Sequence, residues 1–151
     1  MSKNTLKFRL LEDTKTAMKA GEKSRLAIIR LINAAIKQQE VDERIELNDT
    51  QVIATLDKMS KQRRESIEQF AKADRKDLVE QEVYELGIIK EYMPEQLTEN
   101  EISQLVNEAI STISASSIRD MGKVMAYLKP KLQGRADIGK VSGTIKSLLG
   151  S

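Results

Sequence analysis

The chain has 151 residues, 25 Lys plus Arg against 23 Asp plus Glu, and an aromatic share of only 3% without tryptophan. Its core must come from Leu, Ile, Val, Met and Ala, the material of helix bundles, and two prolines with seven glycines are too few turn residues for a multi-strand sheet. The absence of Cys and His removes thiol nucleophiles, disulfides, zinc–thiolate sites and the commonest general base, so catalysis would have to run on carboxylates, Lys, Tyr or Ser.

An all-α fold is expected. Residues 5–20 place Leu6, Leu10, Thr14, Ala17 and Met18 on one face of a helix that Gly21 stops. The next helix starts near Ser24, and its wide stripe of Ile28, Leu31 and Ala35 beside Leu26, Ile29, Ile32 and Ile36 predicts a central helix covered on most sides. After a connection over residues 44–47, Asn48 and Gln51 form a capping box for a helix bearing Val52, Leu56, Met59, Ile67 and Phe70 to about Ala73. Val79, Val83, Leu86, Ile89 and Met93 mark a fourth helix, ended by Pro94. A second box, Thr98 with Glu101, opens a helix with Ile102, Leu105, Val106, Ala109 and Ile113, followed by small polar residues 114–117. A shorter helix with Met121, Val124, Met125 and Leu128 is closed by Pro130 and Gly134, and Asp137 caps a last one with Ile138, Val141, Ile145, Leu148 and Leu149. The organisation read from this is a bundle of about four helices over residues 1–94 and a small three-helix domain over residues 95–151.

Residues 1–10 hold no apolar run of signal-peptide length, and no apolar stretch reaches the ~18 residues of a membrane span. A cytoplasmic protein without membrane or metal partners is expected.

Charge is segregated along the chain. Residues 95–118 hold four acids and no base, whereas residues 119–151 hold seven bases and two acids, a net +5. These bases are Arg119, Lys123, Lys129, Lys131, Arg135, Lys140 and Lys146, a set suited to phosphates through counterion release if they share a face. Helix ends and solvated faces also collect lysines without any ligand. Tyr127 is the one aromatic among them, so shape and phosphate contact with structured RNA fits better than base stacking.

The catalytic motifs fail one by one. Gly122-Lys123 lacks the earlier glycine, the Ser/Thr and the strand of a phosphate-binding loop. Ser114, Ser116 and Ser117 have no base to activate them, and Glu80, Glu82 and Glu85 read as solvated helix carboxylates. Arg63 falls close to the apolar stripe of its helix, which fits either an ion-paired arginine at the bundle edge or, with Arg64, a groove for a protein partner.

Lys61-Gln62-Arg63-Arg64-Glu65-Ser66-Ile67, then Phe70, Arg75, Asp77-Leu78, Glu82, Glu85 and Tyr92-Met93-Pro94-Glu95-Gln96-Leu97, resembles the central signature of the YqeY family. Asp120-Met121-Gly122-Lys123-Val124-Met125, Lys129-Pro130-Lys131 and Gly134-Arg135-Ala136-Asp137 extend the resemblance, which runs from about residue 5 to 149, with Tyr127 and Gly87 departing from the pattern. It implies a three-helix C-terminal domain similar to the tail of the B subunit of glutamine-dependent aminoacyl-tRNA amidotransferases, a tRNA-contacting module. The glutaminase and transfer chemistry lies in domains without a counterpart here, so a carbon–nitrogen ligase label with glutamine as amido donor would come by homology. The resemblance carries Gly122, Lys123, Gly134 and Arg135 as motif positions, the glycines permitting turns or close approach and the cations facing phosphate. Lys129, Lys131, Lys140 and Lys146 join them on charge.

The expected function is a non-catalytic, cofactor-free accessory protein that binds tRNA or another structured RNA and works with an aminoacyl-tRNA amidotransferase or synthetase. The alternative is a protein-interaction adaptor that docks through the N-terminal helices at Arg63 and Arg64.

Overall fold

The structure, a computed structural model, describes residues 5–150. Seven α-helices and a short 3₁₀ turn make an all-α fold, with no strand among the described residues. The chain divides into two compact units, Met1–Met93 and Pro94–Ser151, each with its own apolar cluster.

The first unit holds α1 (Leu6–Ala20), α2 (Lys23–Glu43), α3 (Asp49–Lys72) and α4 (Lys76–Lys90). Thr5 caps α1 by accepting from the Phe8 N–H, and Gly21 ends it in the left-handed region at φ 69°, where Glu22 N–H reaches back to the Ala17 carbonyl. The Asn48 side chain accepts from Gln51 N–H while Gln51 accepts from Asn48 N–H, a reciprocal box that starts α3. Asn48→Ala removes one half of it, and urea unfolding should show a loss of about 1 kcal/mol.

Leu10, Ile28, Ile29, Ile32, Val52, Leu56 and Ile89 are sealed in this unit's core. The core is confined to the near ends of α3 and α4. Between Lys61 and Tyr84 no described apolar side chain is buried, so the far half of the α3–α4 hairpin rests on half-buried Ile67, Phe70, Leu78 and Val79. α2 is less enclosed than its stripe predicts, because Leu31 stays 47% exposed while Ile28, Ile29, Ile32 and Ile36 take the buried side. α4 stops at Lys90, short of Pro94. Residues 91–93 tighten into i→i−3 hydrogen bonds, since the residue before a proline is pushed out of the helical region.

The second unit holds α5 (Glu99–Ile113), the 3₁₀ turn (Ile118–Asp120), α6 (Met121–Leu132) and α7 (Ile138–Leu149). Val106, Val124, Leu128, Leu132 and Ile145 form its sealed centre. α6 runs through Pro130, contrary to the sequence expectation, because burying Leu132 repays the one backbone bond that proline removes. Gly134 at φ 73° closes the helix instead.

Candidate nucleic-acid interface

The cations of residues 119–151 separate into two groups. Lys131 is engaged: its Nζ lies 4.5 Å from the Tyr127 ring centroid, 3.2 Å from the Tyr127 hydroxyl and 3.6 Å from Glu108 on α5. The Tyr127 hydroxyl and Glu108 hold its pKa above the ordinary lysine value, against a smaller opposing effect of burial. Arg135 is engaged as well, with Nε donating to the Glu95 carbonyl at 3.1 Å. The Gly134 carbonyl accepts from Gln96 Nε2 at 2.8 Å, and Leu97 N–H donates to the Arg135 carbonyl at 2.8 Å. Gly134 and Arg135 thus pin residues 95–97 onto the α6–α7 turn, a structural task at two of the motif positions.

Lys123, Lys129, Lys140 and Lys146 are exposed, and no ion pair holds their ammonium groups among the described residues. Arg119 is exposed beside them in sequence, on the 3₁₀ turn. Lys123 lends its charge to Asp120, whose carboxyl is held low mainly by the N–H groups of Ser116 and Ser117. Lys123 and Lys129 stand at i and i+6, as do Lys140 and Lys146, which puts each pair about 120° apart around its helix. The cations therefore flank faces rather than crowd one line. On α6 the strip between Lys123 and Lys129 is Gly122, Ala126 and Pro130, all exposed and uncharged. A Cβ at Gly122 would meet nothing within 4 Å, so the helix has no packing reason for glycine there.

In the first unit, Arg63 points into the α3–α4 interface. Its Nε lies 3.3 Å from Glu85 and 3.5 Å from Glu82, with all three side chains mostly buried. Arg63 Nε and Glu82 Oε2 meet at ion-pair distance without a hydrogen bond. Burial, then the charge of Glu85, pushes the Glu82 carboxyl above the usual carboxylate range, and Arg63 offsets only part of this. Glu82 and Glu85 are thus not the solvated pair their spacing suggests, and Arg63 is turned away from solvent, whereas Arg64 is exposed.

A second cluster had no sequence signal beyond ordinary helix spacing. Tyr92, 2% exposed, donates its hydroxyl to Asp13 of α1 and lies under the Arg9 guanidinium, 4.7 Å from ring centroid to Cζ. Burial and then the Asp13 bond push its pKa well up. Arg25 of α2 grips Glu91 with two hydrogen bonds of 2.9 and 3.1 Å, holding that carboxyl low, and Arg9 donates to the Glu91 carbonyl. The described residues include no cluster of three His, Cys, Asp or Glu able to hold a metal, and no helix long and apolar enough to cross a membrane.

The model of the family described as Yqey-like protein matches residues 7–149, nearly the whole chain. The chain belongs to that family. Its curated relatives include a protein of Pyrenophora tritici-repentis named altered inheritance of mitochondria protein 41, mitochondrial, 33% identical over 98% of this chain and 83% of the relative. Proteins of the same name from Lachancea thermotolerans and Meyerozyma guilliermondii are each 29% identical, covering 90% and 97% of this chain and 76% and 68% of their own length. All three relatives are named as mitochondrial, which overturns the expectation of a cytoplasmic protein. That expectation rested on the lack of an apolar run, a signal for secretion, whereas mitochondrial addressing reads amphipathic, arginine-rich character.

Proposed function

We propose that this chain is a non-catalytic accessory protein that binds tRNA or a similarly folded RNA through α6 and α7. The observation that carries the reading is the set of exposed lysines Lys123, Lys129, Lys140 and Lys146, held in no ion pair among the described residues, on α6 and α7, two helices that carry no acidic residue. Four flexible ammonium groups around small-residue surface suit a phosphate backbone, which is read by charge and shape rather than by base edges. The resemblance of the C-terminal residues to the amidotransferase tail supports the same polyanion and makes an aminoacyl-tRNA amidotransferase or synthetase the companion enzyme. The absence of His and Cys agrees with a chain that binds without catalysing.

Labelled tRNA titrated in a salt series tests this. Lys123→Glu with Lys129→Glu should weaken binding at low salt by tenfold or more, and should flatten the log–log salt dependence by about two phosphate contacts. Lys131→Ala, which touches an engaged cation, should change it far less. Coincident curves for the wild type and the double variant would remove the reading.

Gly122→Ala separates a ligand role from a folding role. Alanine there should raise stability by about 0.5–1 kcal/mol, since glycine is unfavourable inside a helix. A tRNA backbone that approaches Gly122 closely should at the same time bind more weakly.

A further inference from the structure

α4 carries an apolar seam that its own unit leaves open. Lys76, Val79, Val83, Leu86 and Lys90 recur at alternating steps of three and four, the register of a helix–helix seam. Val83 at its centre is 51% exposed, while Val79 and Leu86 are half-buried beside it. The seam is not the face that packs inward, because Val83 lies about 120–160° around the helix from buried Glu85, Ile88 and Ile89.

Charge restricts what can cover it. Lys76 and Lys90 close its two ends, and on α3 Arg64 stands exposed one residue beyond Arg63, whose side chain meets Glu82 and Glu85 on either side of Val83 in the sequence. None of these three cations is ion-paired among the described residues, and the acids beside the seam are Glu80 and, at its first end, Asp74, which lines a cleft with Lys76 and Val79. Lys76 in the first turn of α4 faces the positive end of the helix dipole, so helix stability does not account for it. Gly87 adds open surface beside the seam, where a Cβ would meet nothing within 4 Å.

From this geometry we infer that the outer face of α4 docks an amphipathic helix of a partner protein, one with an apolar stripe flanked by acidic residues. A second copy of α4 does not fit, since parallel pairing sets Lys76 against Lys76 and antiparallel pairing sets Lys76 against Lys90. An RNA backbone offers nothing for Val79, Val83 and Leu86. A lipid surface is disfavoured because no aromatic lies on this face, Tyr84 being about 100° from Val83. The partner class follows from apolar complementarity at the centre and opposite charge at the rim.

The probe is a labelled three-heptad peptide with Leu at the seam positions and Glu at the flanking ones, compared with a twin carrying Lys in place of Glu. Anisotropy titrations with the full chain should show the Glu peptide binding about tenfold or more tighter than its twin. Val83→Asp, at an exposed site whose effect on folding a thermal melt reports, should weaken the Glu peptide by a similar factor. Lys76→Glu with Lys90→Glu should reverse the preference between peptides. Equal binding of both peptides, no binding of either, or Glu-peptide binding indifferent to Val83→Asp each overturns the inference. Val83-dependent sedimentation with phosphatidylserine vesicles, without peptide binding, also overturns it by assigning the seam to lipid.

Discussion

Tyr92→Ala is expected to cost the first unit about 3–5 kcal/mol, the largest single loss among these substitutions. The ring fills fully enclosed space at the end of α4, so its removal leaves a cavity among Ile88, Ile89 and the side chains of α1 and α2. The loss goes beyond volume, because Arg9 loses the ring face beneath it and Asp13 loses its donor. Tyr92→Phe isolates the second effect: it keeps the ring and leaves Asp13 without the hydroxyl, for an expected loss of about 1–3 kcal/mol. Urea unfolding of both variants beside the wild type checks the pair. If Phe proves as costly as Ala, the Asp13 bond rather than packing dominates. If Phe is neutral, the bond contributes nothing.

Arg63→Met should cost about 2–3 kcal/mol at neutral pH, below the 3–5 kcal/mol of a fully buried pair because the three side chains keep some contact with water. The substitution leaves Glu82 and Glu85 facing each other without the one cation that offsets them. The pH dependence has a definite sign. Glu82 already has a folded-state pKa above its ordinary value, so its contribution to stability is fullest below about 4.3 and falls as pH rises through the raised value. Removing Arg63 raises that pKa further, so the deficit should be greatest near pH 7 and shrink as pH falls towards 4–5. Arg63→Lys keeps the charge and should lose less, though it cannot reproduce the planar fork. Urea unfolding at pH 7.5 and pH 4.5 measures this, and an equal deficit at both values would show that the carboxylates do not feel Arg63.

Local features were legible in the sequence because each depends on residues within one turn of one another. The Asn48–Gln51 and Thr98–Glu101 boxes and the Gly21 stop form as their spacing dictates. Pro130 shows where the local rule yields, since the packing of Leu128 and Leu132 carries α6 past it. In the sequence Glu82 and Glu85 read as solvated, because three-residue spacing on a helix says only that two side chains share a face. What covers that face is decided by α3, about twenty residues away in sequence. Tyr92 and Asp13 stand 79 residues apart, and neither carries a local mark of the other.

By itself the sequence determined the helical class, the capping chemistry, the exclusion of thiol and imidazole catalysis, and the gathering of positive charge into residues 119–151. These follow from composition and short-range spacing, which are complete in the chain before it folds. Only the tertiary structure decided which cations are engaged. Lys131 and Arg135 are drawn to Glu108 and to the Glu95 carbonyl, while Lys123, Lys129, Lys140 and Lys146 remain in water. The physical reason is that a lysine's availability depends on the acids and carbonyls that distant segments bring within reach, and a count of charges along the chain contains no such distances.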